Sequence, residues 1–359
     1  MRWLSVLVLT LWSGVASAES WCAYPLWVHE WGVQAFDDDG RRVLPVNLPA
    51  YFHQTASNRT QPSPVRNAPA DTGVRALPVL HFYSAGTMGR GDIPVGIEVG
   101  FVRGDASAWY PQVDRRRRGP SRQLFWDRLT LSRTPSHARA QPNVAWVDWL
   151  RGFDQALWVD GQGESERFVF YESNSRENVA LRIRRGDTYA RGRRHFVIEN
   201  VIGHDVHDVF VNHREGARSY VFYAPRIPAG RSAGFVLEEH AVSNRRSATR
   251  DRLRTLLIDG SEPTPPRDYR WGGSNDCVMS RNPAVPVETA EGHRLFQHEV
   301  DAILRIWAPS FFDRPGTSVV YREDAAYLDA MMPLAIYTDM YNFVKLRRLG
   351  LAVWRARLP

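Results

Sequence analysis

Apolar and polar residues alternate with two different periods along this chain, and the change from one period to the other divides it. Trp21 to Phe36 is dense in aromatic and aliphatic residues and stops at Asp37-Asp38-Asp39-Gly40, the pattern of a strand ending in a turn. Large apolar groups occupy both parities of this run, so the strand is expected to be buried on both faces, with His29 and Glu30 inside the fold or at its mouth. Residues 47–72, dominated by proline, serine and asparagine, read as a long loop. Strands then recur at short intervals: Leu77 to Tyr83, Val95 to Val102, Phe168 to Tyr171, Val179 to Ile183, Phe196 to Val201, Val206 to Val211, Tyr220 to Tyr223 and Phe235 to Leu237. The alternation Val95, Ile97, Val99, Phe101 is the clearest of them. Helical periodicity appears only late, over Ser247 to Ile258, over Glu288 to Trp307 and around Met340 to Trp354. In the second of these, Phe296, Val300, Ile303 and Trp307 share one face. Strands first and helices afterwards predict a mainly β (α+β) chain, an antiparallel β-sandwich-like core with C-terminal helices. The corresponding regions are 1–18, an N-terminal β-rich 19–160, a β-sandwich region 161–245, and a helical 246–359 packing on the sheets.

The start of the chain has another logic. Arg2, an apolar run from Trp3 to Trp12, then Ser13 and Gly14 leading to Ala16-Ser17-Ala18 follow the order of a cleavable secretory signal peptide, with cleavage expected after Ala18. The apolar run is about half of the roughly 20 residues that a membrane-crossing helix needs. No stable membrane span is expected after cleavage, and the mature protein is expected in a periplasm or the medium. Export makes a disulfide between Cys22 and Cys277 available, worth about 5 kcal/mol by loop entropy, the other reading being two buried thiols.

Composition narrows the chemistry. The formal charge of +7 falls to +6 without Arg2, and Lys345 is the single lysine, so a Schiff-base or Ser-Lys mechanism would have to use it. It sits in Phe343-Val344-Lys345-Leu346-Arg347-Arg348, which reads as an amphipathic helix. Arg115 to Arg118 form a basic run without the interleaved aromatic residues of a nucleic-acid surface, so a solvated loop is expected and no nucleic-acid partner. Nucleophile-elbow, phosphate-loop, dinucleotide and paired Cys-x-x-Cys motifs are all missing.

The candidate chemistry is therefore dispersed. His29-Glu30 and His298-Glu299 both begin like a zinc-protease signature but lack its second histidine. His29 is open to two readings, a hydrogen-bonded interior histidine beside a buried carboxylate, or a ligand or general base with Glu30 on the opposite strand face. His298 and Glu299 read as a solvated helix face. Gly203-His204-Asp205-Val206-His207-Asp208, with His213 close by, is the densest run of potential ligands for a divalent metal, against the plainer reading of a polar turn before a strand. Several of the 13 tryptophans lie in the first half, where exposed ones would make stacking platforms for a glycan and buried ones a core.

Several separated pieces resemble one family. Trp27-Val28-His29-Glu30-Trp31-Gly32, Pro78-Val79-Leu80-His81-Phe82-Tyr83, Trp109-Tyr110-Pro111-Gln112 and Gly163 to Tyr171 resemble an exported bacterial family with a His-Glu-Trp-Gly-Thr element near its mature start. The likeness continues through Trp307, Val319-Val320-Tyr321 and Met332-Pro333-Leu334, and the chain departs from the pattern at Val33 and Phe311. It implies an exported, self-contained fold and supplies no activity.

Two functions are consistent with these residues. One is a non-catalytic envelope or ligand-binding protein whose partner is a glycan, a peptide or an envelope component. The other is an exported hydrolase, metal-dependent or not, using His29 and Glu30 with Tyr83, Tyr110 or Tyr171, because polar groups in an apolar strand acquire shifted pKa values.

Overall fold

The computed structural model describes residues 24–43, 48–55, 78–84, 92–117, 122–139, 144–173, 178–186, 193–260, 286–339 and 342–359. The expected signal peptide, both cysteines and most of the expected 47–72 loop lie outside these residues. In chain order the strands are β1 (Tyr24–Phe36), β2 (Arg42–Val43), β3 (His53–Gln54), β4 (Val79–Ser84), β5 (Ile93–Phe101), β6 (Ala106–Tyr110), β7 (Arg115–Arg117), β8 (Arg122–Ser132), β9 (Trp158–Gly161) and β10 (Glu164–Glu166). They continue with β11 (Val169–Ser173), β12 (Leu181–Arg185), β13 (His195–Asn200), β14 (Val206–Glu215), β15 (Arg218–Ile227), β16 (Ser232–Val236), β17 (Ala241–Val242), β18 (Gly316–Glu323), β19 (Leu334–Thr338) and β20 (Asn342–Ala356). The α-helices are α1 (Ala145–Arg151), α2 (Arg245–Leu257), α3 (Gln297–Ala308) and α4 (Ala325–Met331). The chain is mainly β, as the alternation predicted.

One 11-stranded sheet organises everything else. Its order is β17-β15-β14-β18-β20-β1-β4-β11-β6-β3, with β2 beside β1, so it draws strands from every part of the chain. At its centre β1 pairs in parallel with β20 from Tyr24↔Asn342 to Phe36↔Trp354, and antiparallel with β4 on its other side. Because β1 has neighbours on both edges and layers on both faces, it can be apolar at both parities, which is why its sequence shows no polar side.

The two faces of this sheet are covered differently. On one face, Trp27, Trp31, Val33, Tyr83 and Phe170 pack against Leu253 of α2 and Phe296, Val300, Ile303 and Trp307 at α3. The other face carries two smaller sheets side by side. Leu26, Val28, Leu80 and Phe82 meet Ile97, Trp126 and Leu129 of a six-stranded sheet, β10-β9-β8-β5-β19 with β7 beside β8. Phe36, Tyr321, Ala352 and Trp354 meet Leu181, Phe196 and Phe235 of the three-stranded sheet β12-β13-β16. A seam therefore crosses β1 and β20 between the two covering sheets, at Glu30, Gly32, Arg348 and Gly350. Gly32 pairs with Gly350, and a Cβ on Gly350 would lie 3.0 Å from both Leu328 methyls, so the missing side chain is what lets α4 settle on the seam.

Three expectations are corrected. Residues 342–356 form the longest strand, not a helix. Phe343, Leu346, Leu349 and Val353 mimic helical spacing, while the true period-two set, Val344, Leu346, Arg348, Gly350, Ala352 and Trp354, is disguised by an arginine and a glycine at inward positions. The helix expected over Glu288 to Trp307 begins only at Gln297, because isolated bridges at Val287, Gly292 and Leu295 hold the preceding backbone extended. The expected arginine loop is the short strand β7, with Arg115 paired to Asp127 at 2.7 Å. Helix α2 agrees with its prediction, and Asn244 caps it by accepting from Ser247 N.

If β20 is the central strand, its backbone amides are shielded by two neighbours. Hydrogen exchange is expected to place Leu346 to Val353 among the slowest amides of the chain, and rapid exchange there would refute the assignment.

Candidate functional site

The odd residues of β1 and β4 bring an unusual set of polar side chains to the helical face. His29 is opposite His81 and Trp27 opposite Tyr83 across the two strands. The first turn of α3 crosses above them. His29 Nδ1 donates to Glu299 Oε2 at 2.6 Å, and that same oxygen accepts the Phe296 amide at 3.0 Å, so one carboxylate both orients the imidazole and caps the helix. The Tyr83 hydroxyl and His298 Nε2 are 3.0 Å apart. His81 Nδ1 donates to the Arg167 carbonyl at 3.0 Å, and its ring stacks on Trp31.

Burial decides the charge states here. Glu299 and His81 are fully buried and His29 nearly so. Burial alone would raise the Glu299 carboxyl, but His29 at hydrogen-bond distance and the nearby histidines hold it below its ordinary value. Burial drives His81 down to about 4, against the pull of Glu299, and lowers His298. It also pushes the Tyr83 hydroxyl well above its ordinary range, with Glu299 adding to the effect. His81 Nε2 and Glu299 Oε1 are buried without a hydrogen-bond partner among the described residues. The arrangement is a carboxylate-oriented imidazole beside a Tyr–His pair, and His298 is its half-buried member.

Glu30 points the other way. Arg348 is the central group of the seam, reaching Glu30 through Nε, Asp329 through Nη1 at 2.8 Å and the Met332 carbonyl through Nη2 at 2.9 Å. The Tyr171 hydroxyl donates to the other Glu30 oxygen. Burial opposes the Arg348 charge, but Glu30 and Asp329 hold the guanidinium more firmly protonated than a free arginine. The Tyr171 hydroxyl is raised well above its ordinary range by burial and by Glu30.

The predicted site residues are thus separated rather than gathered. His29 with Tyr83 and Glu30 with Tyr171 occupy opposite faces of the large sheet. Tyr110 lies in a third place, stacked on Phe52 near a His53–Glu164 pair at 2.9 Å. The proposed metal ligands are dispersed too. His204 bonds Glu323 at 3.1 Å and stacks on Tyr327, His207 bonds Asp324 at 3.2 Å, His213 bonds Thr317 at 2.8 Å, and Asp205 pairs with Arg226. Among the described residues no three His, Cys, Asp or Glu side chains are grouped to hold one ion. Trp27, Trp31, Trp109, Trp126, Trp146 and Trp158 are buried, which makes them core rather than glycan platforms. The solvated face expected for His298 and Glu299 is also corrected, since Glu299 is fully enclosed.

A polar recess of about 120 Å³ opens elsewhere, where β1 ends, with Asp37, Asp38, Ser310, Arg314, Ser318 and Arg355 in its lining. It was not legible in the sequence, because it joins three distant segments.

No family model and no curated protein matches the chain. Among solved structures it is similar to the yeast delta-COP-I mu-homology domain, at 7% identity over 94% of this chain and 98% of that one, with a TM-score of 0.27. The same yeast domain complexed with the Dsl1 WxWxV peptide aligns over 93% of this chain and 96% of that one, at 7% identity and a TM-score of 0.27. A likeness at this level transfers no property to this chain.

Two outcomes follow from the buried groups. Unfolded histidines bind protons near pH 6.5, whereas folded His81, and likewise His293, refuse them until about pH 4. The unfolded chain therefore binds more protons across that window, and stability must rise with pH from about 4 to 6.5. His81 alone should contribute about 3 kcal/mol, and His81→Phe should flatten the denaturant-midpoint profile, an unchanged slope being the contrary result. Arg348→Met strands Glu30 in the seam and should cost about 3–5 kcal/mol of unfolding free energy, while adding Glu30→Gln should recover part of it. A double variant less stable than the single would contradict the pairing.

Proposed function

We propose that the chain is an exported, non-catalytic ligand-binding protein. The observation that carries this reading is that the polar pair on β1 is divided between two enclosed networks, His29 with Glu299 and Glu30 with Arg348 and Tyr171. Groups whose hydrogen bonds are spent inside the protein hold layers together and have little left for a substrate. The order of charge, apolar run and small residues in the first 18 positions supports export. So does the resemblance to an exported bacterial family. The ligand belongs at a recess lined by charged and hydroxyl groups, not at an aromatic platform.

A second reading, an exported acid–base hydrolase, is favoured by one observation. His298 is half-buried and bonded to Tyr83, next to the Glu299–His29 pair, so an imidazole and a hydroxyl adjoin an oriented carboxylate. This version does not use Glu30.

The mature protein, recovered after export, should have Glu19 as its first residue by intact mass. Native mass spectrometry should detect a retained small ligand that is recovered chemically unchanged after incubation. Conversion of that ligand by the wild type but not by His298→Gln would replace the binding reading with the hydrolase.

A further inference from the structure

The recess at the end of β1 has a composition that the networks above do not explain. Its floor includes Ser318 and Arg355, which are opposite each other on neighbouring strands of the large sheet, with Asn212 opposite Ser318 on the next strand behind. Its roof is the turn of π-helix over Pro309–Asp313 that ends α3, which supplies Ser310 and then Arg314. Its rim is the turn after β1, with Asp37 and Asp38. Asn212 is occupied, accepting from Thr249. The Ser310 and Ser318 side chains are more than nine-tenths buried.

The two aspartates of the rim have partners of their own. Asp37 Oδ1 accepts the amides of Asp39 and Arg41 at 3.0 and 2.8 Å, which spends it on its own turn. Asp38 pairs with Arg357, and Arg355 adds to the positive field that holds its carboxyl below the usual range. In the lining Arg314 and Arg355 balance Asp37 and Asp38, so the guanidinium groups offer hydrogen-bond donors rather than a net positive field, and Arg357 beside them is taken up by Asp38 with Asp39 nearby. Behind the same turn Arg245 is buried, donating to the Phe312 and Arg314 carbonyls with Asp313 in its field. The volume holds several waters or one small oxyanion. Guanidinium and hydroxyl donors lining a small open recess are the chemistry that binds such an anion.

We infer that this recess is a binding site for an oxyanion group, with Arg314 and Arg355 as charged donors and Ser310 and Ser318 as hydroxyl donors. The inference rests on the binding-protein reading and names the ligand chemistry for it. A free tetrahedral anion and the carboxylate of a larger solute share this chemistry.

Isothermal titration calorimetry on the mature protein, in chloride buffer of fixed ionic strength, separates the two sources by using inorganic phosphate, sulfate and acetate as probes. Phosphate or sulfate should bind with a dissociation constant below about 1 mM. Acetate binding as tightly would assign the site to carboxylates. Arg355→Gln and Arg314→Gln should each weaken binding at least about tenfold, a loss expected for a charged hydrogen-bond donor. Asp38→Asn, which removes a negative charge from the rim, should tighten it, and Arg193→Gln, just before β13 and outside the recess lining, should leave it unchanged. The melting temperature of each variant in anion-free buffer shows that it folds. Absence of heat with all three probes at about 10 mM, or equal binding by wild type and both arginine variants, would overturn the inference. A retained ligand lacking any oxyanion, together with silent titrations, would end this site while leaving the binding-protein reading intact. Oxyanion binding together with turnover of the retained ligand would do the reverse.

Discussion

The parallel pairing of β1 with β20 is the constraint on which the rest of the structure depends. It joins residues more than 300 positions apart, and every other layer is placed relative to it. Helices cover one face, and two separate sheets share the other. Where those two sheets fail to meet, the central strands would present bare backbone and apolar side chains to water. The chain fills that gap with Arg348, whose guanidinium binds groups from β1, α4 and the turn after it. Such a buried ion is not a net source of stability by itself, because taking its charges out of water costs several kcal/mol per ion. What it supplies is register, since a slip of one residue would turn Glu30 and Arg348 towards different layers.

The helical face solves a similar problem with different groups. A helix arriving end-on at a sheet brings unpaired amides into the interior. Glu299 satisfies the Phe296 amide and takes the His29 proton donor with the same oxygen, so the helix is fastened to the strand through one atom. Phe296 lies against His29 with ring centroids 4.5 Å apart, which keeps water from competing for that bond. The histidines that resemble catalytic residues in the sequence thus sit where two elements of secondary structure are joined.

Much of the β framework was legible because burial on one or both faces leaves a direct trace in side-chain alternation. Val95, Ile97, Val99 and Phe101 show it, and β5 is where it predicts. Two of the failures share one cause, a polar or glycine residue at an inward position. Arg348 and Gly350 hid the period of β20, and Glu299 made an enclosed helix face look solvated. In each case the residue is tolerated because of a partner far away in sequence, Glu30 for Arg348, Leu328 for Gly350 and His29 for Glu299. Pattern along the chain cannot show such partners. His81 was the one clue within reach, since it shares a parity with Val79 and Tyr83 in a strand that is otherwise apolar. The recess beside Arg355 left no local trace, because its donors come from separate segments.

The span of the β1–β20 pairing also sets an order of events. Hairpins such as β14 with β15 or β9 with β10 close loops of a few residues and can form as soon as their strands exist. The central pair must instead close a loop of more than 300 residues, and β20 enters between β18 and β1, which keep an open edge until it arrives. Pairing over such a separation makes folding slow and exposes unpaired strand edges meanwhile. Under the export proposed above, in which the chain would cross a membrane unfolded, this is an advantage. The large sheet cannot close prematurely behind the first strand, and the main barrier to folding is reached only when the last strand is available.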